Sequence, residues 1–454
     1  MRKDNVNMLS GPITKGLLAM TLPIMAMNVL ASLFNVVDMT ALKAFGFASA
    51  VGAVGACGTL ITLCTSLLTG ISIGANVIVA RRIGAGDKDR ADKAAMTSLL
   101  FSVLGGLVLM VIGLVFAETF LNWMNCPETL LPQAITYFRL YFLGVPPLFL
   151  YSFGAAVLRA TGDTKRPFYF SVANGVIKVA LTFFFAGVIR VGVEGVAIAT
   201  IISQIVAAFL CVRRLAKFQS VVKVDLKKPV FDFRELKAML HIGIPTGVQS
   251  ALYSLANAVI AAAVNSFGEA ATTGISIANQ FDGILYNIIH APSLAVMPFI
   301  AQNMGAGNLK RVKATILRGT LITTAFGATL GALSAIFSPQ LASIMTDKPE
   351  VIAFARQKMI IVSSTYFICG INEVLAGVLR GIGKPIVPTV STLIFMCALR
   401  FVWVYVFFPL IPNLTFLYAV WPIGWILSII MLSIAYFIAM GKHERRIRAA
   451  TLAQ

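Results

Sequence analysis

Apolar residues run through the chain in long blocks, interrupted by short stretches rich in Gly, Pro, Lys, Arg and Asp. Twelve blocks stand out, at 17–41, 50–79, 94–117, 133–157, 167–189, 193–212, 240–264, 271–300, 314–337, 352–378, 386–409 and 414–440. Each is long enough to cross about 30 Å of hydrocarbon as a helix rising about 1.5 Å per residue. The pattern therefore predicts an all-α membrane protein with twelve transmembrane helices.

Composition agrees. Of 454 residues, 58% are hydrophobic and 12% charged, about half the charge of a soluble domain. The net charge of +19 raises the possibility of a nucleic-acid partner, so the distribution of charge matters. With the N-terminus inside, the inner segments carry 29 Lys or Arg, against five at the outer ends: Lys43, Arg190, Lys348, Arg356 and Lys358. Arg139, Lys178 and Arg400 lie within spans. That asymmetry is the positive-inside rule. Basic loops facing an anionic cytoplasmic leaflet explain it, and no nucleic-acid partner is expected. Both termini are placed in the cytoplasm.

The N-terminal stretch MRKDNVNMLSGPITKG is basic and leads into an apolar run, as in a signal peptide. The run continues past Asp38 without a small-residue cleavage site, so it reads as the first span. The six cysteines are scattered without CxxC spacing and read as small apolar fillers. No metal site is expected.

The chain repeats itself. LPIMAMNVLASLFNVV aligns with IPTGVQSALYSLANAV, placing Pro23 on Pro245 and Asn35 on Asn257 at an offset of 222 residues. IGAGDKDRADKA pairs with MGAGNLKRVKAT, and LRATGDTKRP with LRGIGKPIVP, both at an offset of 221. Each half then holds six spans, an even number, so both enter the membrane from the same side. Such parallel repeats are related by a pseudo-two-fold axis along the membrane normal. The expected organisation is an N-terminal six-helix lobe over 1–212, a basic cytoplasmic connection over 213–239, a C-terminal six-helix lobe over 240–440 and a basic cytoplasmic tail over 441–454. Two lobes of this kind would surround a central cavity suited to alternating access. A monomer is the expected state.

These motifs, together with the Asn35–Asp38 pair and GVEGVAIATIISQ, resemble those of the multidrug and toxic compound extrusion (MATE) family over about residues 11–440. The resemblance implies a secondary-active exporter with two six-helix lobes, driven by a proton or sodium gradient and needing no cofactor. Its implied cargo is small amphipathic organic compounds, often cationic. A flippase for lipid-linked envelope precursors, which shares the architecture, stays open as an alternative. Enzymatic readings find no HExxH, nucleophile elbow, Walker A loop or His/Cys cluster.

Ionisable groups within spans cost at least about 2.5 kcal/mol at a helix centre and are functional candidates. Here they are Asp38, Asp282 and Glu373 against Arg139, Lys178 and Arg400. Asn28, Ser32, Asn35 and Asp38 fall within about 140° of one helix face. The resemblance places Asp38 at the family's amino-terminal cation site. In archaeal and some bacterial relatives that site adds an Asn and an Asp four residues apart on the fifth helix and a Thr on the sixth. Those positions fall here on Lys178, Thr182 and Thr200. A hard cation needs several oxygen ligands, whereas an ammonium donates and accepts nothing. Lys178 stands one turn after Asn174 and about 16 Å along the helix from Pro167, so it needs a partner. The resemblance implies Asp38 as that partner, with an attraction of about 4 kcal/mol at 4 Å and an effective dielectric near 20. Two readings stay open: a tethered cation released when Asp38 takes a proton, making sodium coupling less expected, or a fixed salt bridge.

In the second half, Gln249, Tyr253 and Asn257 line one helix face, and Asn279, Asp282, Tyr286, His290 and Ser293 another. Glu373 is expected either to pair with Arg400 as a structural tie or to take part in coupling. His290 is expected to be a hydrogen-bonded helix residue. Pro23, Pro245, Pro292 and Pro298 are expected to kink their helices.

Overall fold

A computed structural model of the chain describes residues 5–124, 126–217 and 221–452, with side chains at all of these except 35, 39, 48–51, 56, 59, 63, 64, 68, 255 and 446–452. The described residues contain helices and no strand. The first half holds α1 (Ile13–Ala44), α2 (Ala48–Gly84), α3 (Lys88–Trp123), α4 (Leu131–Leu143), α5 (Val145–Ala160), α6 (Lys165–Phe183) and α7 (Val193–Lys217). Helix α6 runs on as a π-helical stretch over Phe184–Ile189. The second half holds α8 (Phe233–Asn265), α9 (Glu269–Gly305), α10 (Leu309–Ile336), a short α11 (Ser338–Ser343), α12 (Pro349–Ser363) and α13 (Tyr366–Ile382). A composite helix follows, with α14 (Ile386–Ser391), π-helical Thr392–Ala398, α15 (Leu399–Val402) and π-helical Trp403–Phe407; α16 (Leu414–Tyr418) and α17 (Val420–Leu452) close the chain.

Ten of these runs are long and apolar enough to span a membrane, and two bent pairs bring the total to twelve. Every apolar block of the sequence thus has its own span. The two bent pairs are the fourth span of each half: α4 and α5 meet at 45°, α12 and α13 at 46°. The first break follows from Gly144 and the Pro146–Pro147 pair, whose missing N–H groups remove helix hydrogen bonds. At the second, Thr365 donates its hydroxyl to the carbonyls of Ile361 and Val362 at 3.1 and 2.8 Å, satisfying acceptors that the interrupted helix leaves free.

The internal repeat is written into the backbone. All six described glycines with positive φ fall into three pairs at the repeat offset: Gly46 with Gly268, Gly86 with Gly307, and Gly162 with Gly383. Gly86 (φ 73°) and Gly307 (φ 68°) follow the ends of α2 and α9 in the left-handed region, where a Cβ is disfavoured. The next residue, Asp87 or Asn308, then caps the following helix by accepting the N–H of Arg90 or Arg311, each at 3.1 Å. The twice-occurring GAG(D/N) motif is therefore a stop followed by a start.

The chain divides into two compact units, residues 1–7 with 26–247 and residues 8–25 with 248–454. This differs from the expected boundary at 213–239. That connection is docked within the first unit: the Lys223 N–H donates to Asp92 at 2.6 Å, the Asp232 N–H to Thr97 at 2.9 Å, and Val222 and Val224 are buried. The inner part of α8 joins it there. Gly70 and Gly74 of α2 meet Met239, Gly243 and Gly247 so closely that a Cβ on any of these four glycines would fall 2.2–2.6 Å from backbone atoms. Arg82 and Glu235 close the contact with an ion pair at 2.9 Å. In the second unit the segment before α1 is held by Arg311, which donates to the carbonyls of Met8 and Gly11 at 3.0 and 2.7 Å, and by Asn303, which also donates to Met8. Helices α1 and α8 are thus each shared between units. In both, the division falls two residues after the internal proline, Pro23 or Pro245.

Candidate functional site

In the first unit, α1 and α6 bring a carboxylate and an ammonium together. Lys178 Nζ lies 2.5 Å from Asp38 Oδ2, and the Thr182 hydroxyl donates to Oδ1 at 3.1 Å. Asp38 is only 3% exposed. Both of its oxygens are therefore engaged by side chains one turn apart on α6. The approach of the helices is made possible by Gly175: a Cβ there would fall 1.6 Å from a ring carbon of Phe34, so the ring occupies the space any larger residue would need. Phe34 precedes Asp38 by one turn and Gly175 precedes Lys178 by nearly one, so the same seat that receives the ring registers the ion pair.

The remaining residues expected at this site are distributed unevenly. Asn174 lies one turn before Lys178, and its Oδ1 is buried without a hydrogen-bond partner. Thr200, on α7, is buried but donates its hydroxyl to the Val196 carbonyl of its own helix at 2.8 Å. The side chain of Asn35 lies outside the described residues.

The second unit holds a half-open cavity of about 350 Å³ whose lining includes Tyr253, Asn257, Asn279, Asp282, Tyr286, Lys358, Tyr366 and Trp421. On one wall Lys358 Nζ pairs with Asp282 at 2.8 Å and also donates to Asn279 Oδ1. Ser363 donates to the other Asp282 oxygen at 3.0 Å. Lys358, counted above at the outer end of the tenth span and not among the charges within spans, is 2% exposed. It lies nine residues past Pro349, about 13 Å along α12, and the depth argument applied to Lys178 would have located it. Lys358 thus joins Asp282 as a second buried Asp–Lys pair, with Tyr366 and Trp421 as aromatic neighbours that periodicity alone did not single out. Trp421 carries Lys358 at 5.6 Å from its ring centre.

Glu373 and Arg400 are not paired, contrary to the structural tie allowed above. Glu373 lies 3.6 Å from His290 Nε2, accepts a hydrogen bond from Tyr286 at 3.4 Å, and is reached from α9. Arg400 instead donates to Asn257 Oδ1 at 2.6 Å, while its Nε and Nη2 are buried without hydrogen-bond partners. Its guanidinium sits 5.2 Å from the Tyr253 ring centre and 5.1 Å from that of Trp421. The reason is reach along the helices. Glu373 faces Tyr286 and His290 of α9, which stack on each other and, through Tyr286, on Tyr253 of α8, and Arg400 faces α8. Gln249 bridges elsewhere, accepting from Arg380 and donating to Thr392, both at 2.8 Å.

Comparison with known proteins agrees with this arrangement. The MatE family model matches the chain twice, over residues 23–184 and 245–406, two stretches separated by the repeat offset. The probable multidrug resistance protein YoeA of Bacillus subtilis (strain 168) is 30% identical over 82% of this chain and 82% of its own length. A Shewanella oneidensis protein named FAD transporter is 28% identical over 86% of this chain and 87% of its own length. Among solved structures, a crystal structure of MATE in complex with MaD3S shares the fold, with a TM-score of 0.88 at 20% identity over 98% of this chain and 99% of that one. A family model matched over both halves, and a relative at 30% identity across most of both proteins, show that the chain belongs to the MatE family of multi-pass membrane transporters of multidrug efflux.

Proposed function

We propose that the chain is a secondary-active antiporter that exports amphipathic organic compounds by alternating access, driven by proton rather than sodium movement. The observation that carries this reading is the Lys178 ammonium at 2.5 Å from Asp38. A sodium ion at this carboxylate would need oxygen ligands in place of a cation. Lys178 supplies the positive charge itself, and Thr182 engages the remaining carboxylate oxygen.

A proton arriving at Asp38 neutralises the carboxylate and removes the Coulombic hold on Lys178. Asn174 Oδ1, one turn back on α6 and without a hydrogen-bond partner, offers the released ammonium an acceptor. The two positions of the ammonium bias the first unit toward different states, and loss of the proton resets the pair. Cargo leaves in one state and protons enter in the other. The relatives' names, multidrug resistance protein and FAD transporter, favour organic cargo of varied charge. The chain acts as a monomer in a bacterial cytoplasmic membrane with both termini inside; the weight of Lys and Arg in the inner segments supports that orientation.

The test is transport by purified protein in liposomes given a pH gradient or a sodium gradient separately. Dye export should follow the pH gradient, and Asp38→Asn should abolish it. Sodium-driven, pH-independent export by the wild type would overturn the reading.

A further inference from the structure

The cavity of the second unit has a charge that the Asp282–Lys358 pair does not account for. Among the described residues, the buried charged side chains of that unit's spans are Asp282 and Glu373 against Lys358, Arg380 and Arg400. One positive charge is left over even with His290 neutral. Arg380 and Arg400 each donate to an amide oxygen and have no carboxylate within ion-pair distance, but only Arg400 is surrounded by side chains that line the cavity. Lys358 has Asp282 at 2.8 Å, while Arg400 has an amide oxygen and two ring faces but no carboxylate. A fully buried guanidinium with two unpartnered nitrogens in a low-dielectric surrounding is costly, and a nearby anion lowers that cost.

The groups around Arg400 also form part of the cavity wall. Tyr253, Asn257 and Trp421 each touch the guanidinium and line the open space. Arg400 itself has no exposed surface and lies behind these groups, so its charge acts on the cavity through them. Two aromatic faces beside an uncompensated cation favour a planar ring carrying a negative charge, with the ring against Tyr253 or Trp421 and the anion on the Arg400 side.

The repeat explains how the imbalance arises. Arg400 stands 222 residues after Lys178, and Asn257 stands 222 after Asn35. Asp38, the partner of Lys178, corresponds at that offset to Ile260, which is buried and lines the cavity. The second half therefore keeps the cation and lacks the carboxylate.

We infer that the second-unit cavity is a binding site for an aromatic organic anion (a carboxylate, sulfonate or phosphate on a planar ring), with Arg400 as the residue that selects negative charge. The inference rests on the export reading for its use as a cargo site, but binding can be read without any gradient. Purified full-length protein in non-ionic detergent would be titrated with 2-naphthalenesulfonate and with its cationic counterpart, 2-naphthyltrimethylammonium, by tryptophan quenching. The sulfonate should bind at least tenfold more tightly. Arg400→Gln should lose at least tenfold for the sulfonate and leave the cation unchanged. Ile260→Asp, which supplies the missing carboxylate within a folded pair, should likewise lose the sulfonate. Equal or tighter binding of the cation by the wild type, or sulfonate affinity retained in Ile260→Asp, would overturn the inference. Failure of gradient-driven export with sulfonate binding intact would count against the transport reading alone.

Discussion

Lys178 and Arg400 occupy corresponding places in the two halves, yet one is held by the carboxylate of Asp38 at 2.5 Å and the other by the amide of Asn257 at 2.6 Å. The same helical position thus presents a cation in both units, neutralised in the first and left uncompensated in the second. A pair that one added proton can dissolve suits coupling. An uncompensated cation suits recognition of an anion.

Replacing Lys178 by Asn returns an oxygen ligand to the Asp38 site and removes the tethered charge. Sodium should then stabilise the variant, raising its thermal midpoint relative to potassium at equal ionic strength, while leaving the wild type unaffected. At sodium one hundred times its dissociation constant the gain would be about 2.7 kcal/mol. Equal sodium response in both proteins would show that Lys178 does not occupy the ion's place.

The Asp282–Lys358 pair is buried on both sides, with side-chain exposures of 10% and 3%. Lys358→Met strands a carboxylate and should cost about 3–5 kcal/mol, whereas the double variant Lys358→Met with Asp282→Leu should recover much of that loss. Unfolding curves of the two single variants and the double variant in detergent give the coupling directly.

Gly86 and Gly307 should respond alike to substitution because they perform one task in two copies. Alanine at either forces a Cβ into the left-handed region and should cost about 1–2 kcal/mol, and asparagine less. Thermal midpoints of the four single variants would test the equivalence.

Gly175→Leu should displace the Phe34 ring and with it the register between α1 and α6. Overpacking of this kind costs about 1–3 kcal/mol. The ion pair moves with the helix, so coupled export should fall more than stability alone explains. Normalising transport to folded protein in the liposomes separates the two effects.

The spans and the repeat were legible because each leaves a one-dimensional trace, length of apolar run and fixed offset; depth from a proline showed that Lys178 needs a partner, and the family resemblance pointed to Asp38. What escaped depends on which side of a helix faces which neighbour. Lys358 sits near a predicted span end, and counting by position groups it with Lys348, yet α12 turns it inward onto Asp282. Glu373 and Arg400 lie on consecutive spans, which allows a tie between them, but π-helical stretches flank α15 on each side and Arg400 faces α8. The breaks in the fourth and tenth spans are invisible to hydropathy, because Gly144, Ser364 and Thr365 interrupt hydrogen bonding without interrupting the apolar run.

The sharing of α1 and α8 between units has a consequence for biogenesis. The segment 8–25 leaves the ribosome well before its packing partners, which belong to spans of the second half. The first unit, for its part, stays incomplete until residue 247 has been made. Severing the polypeptide in the basic connection would therefore yield two fragments that each lack a piece carried by the other, and activity should return only when both are produced in the same cell.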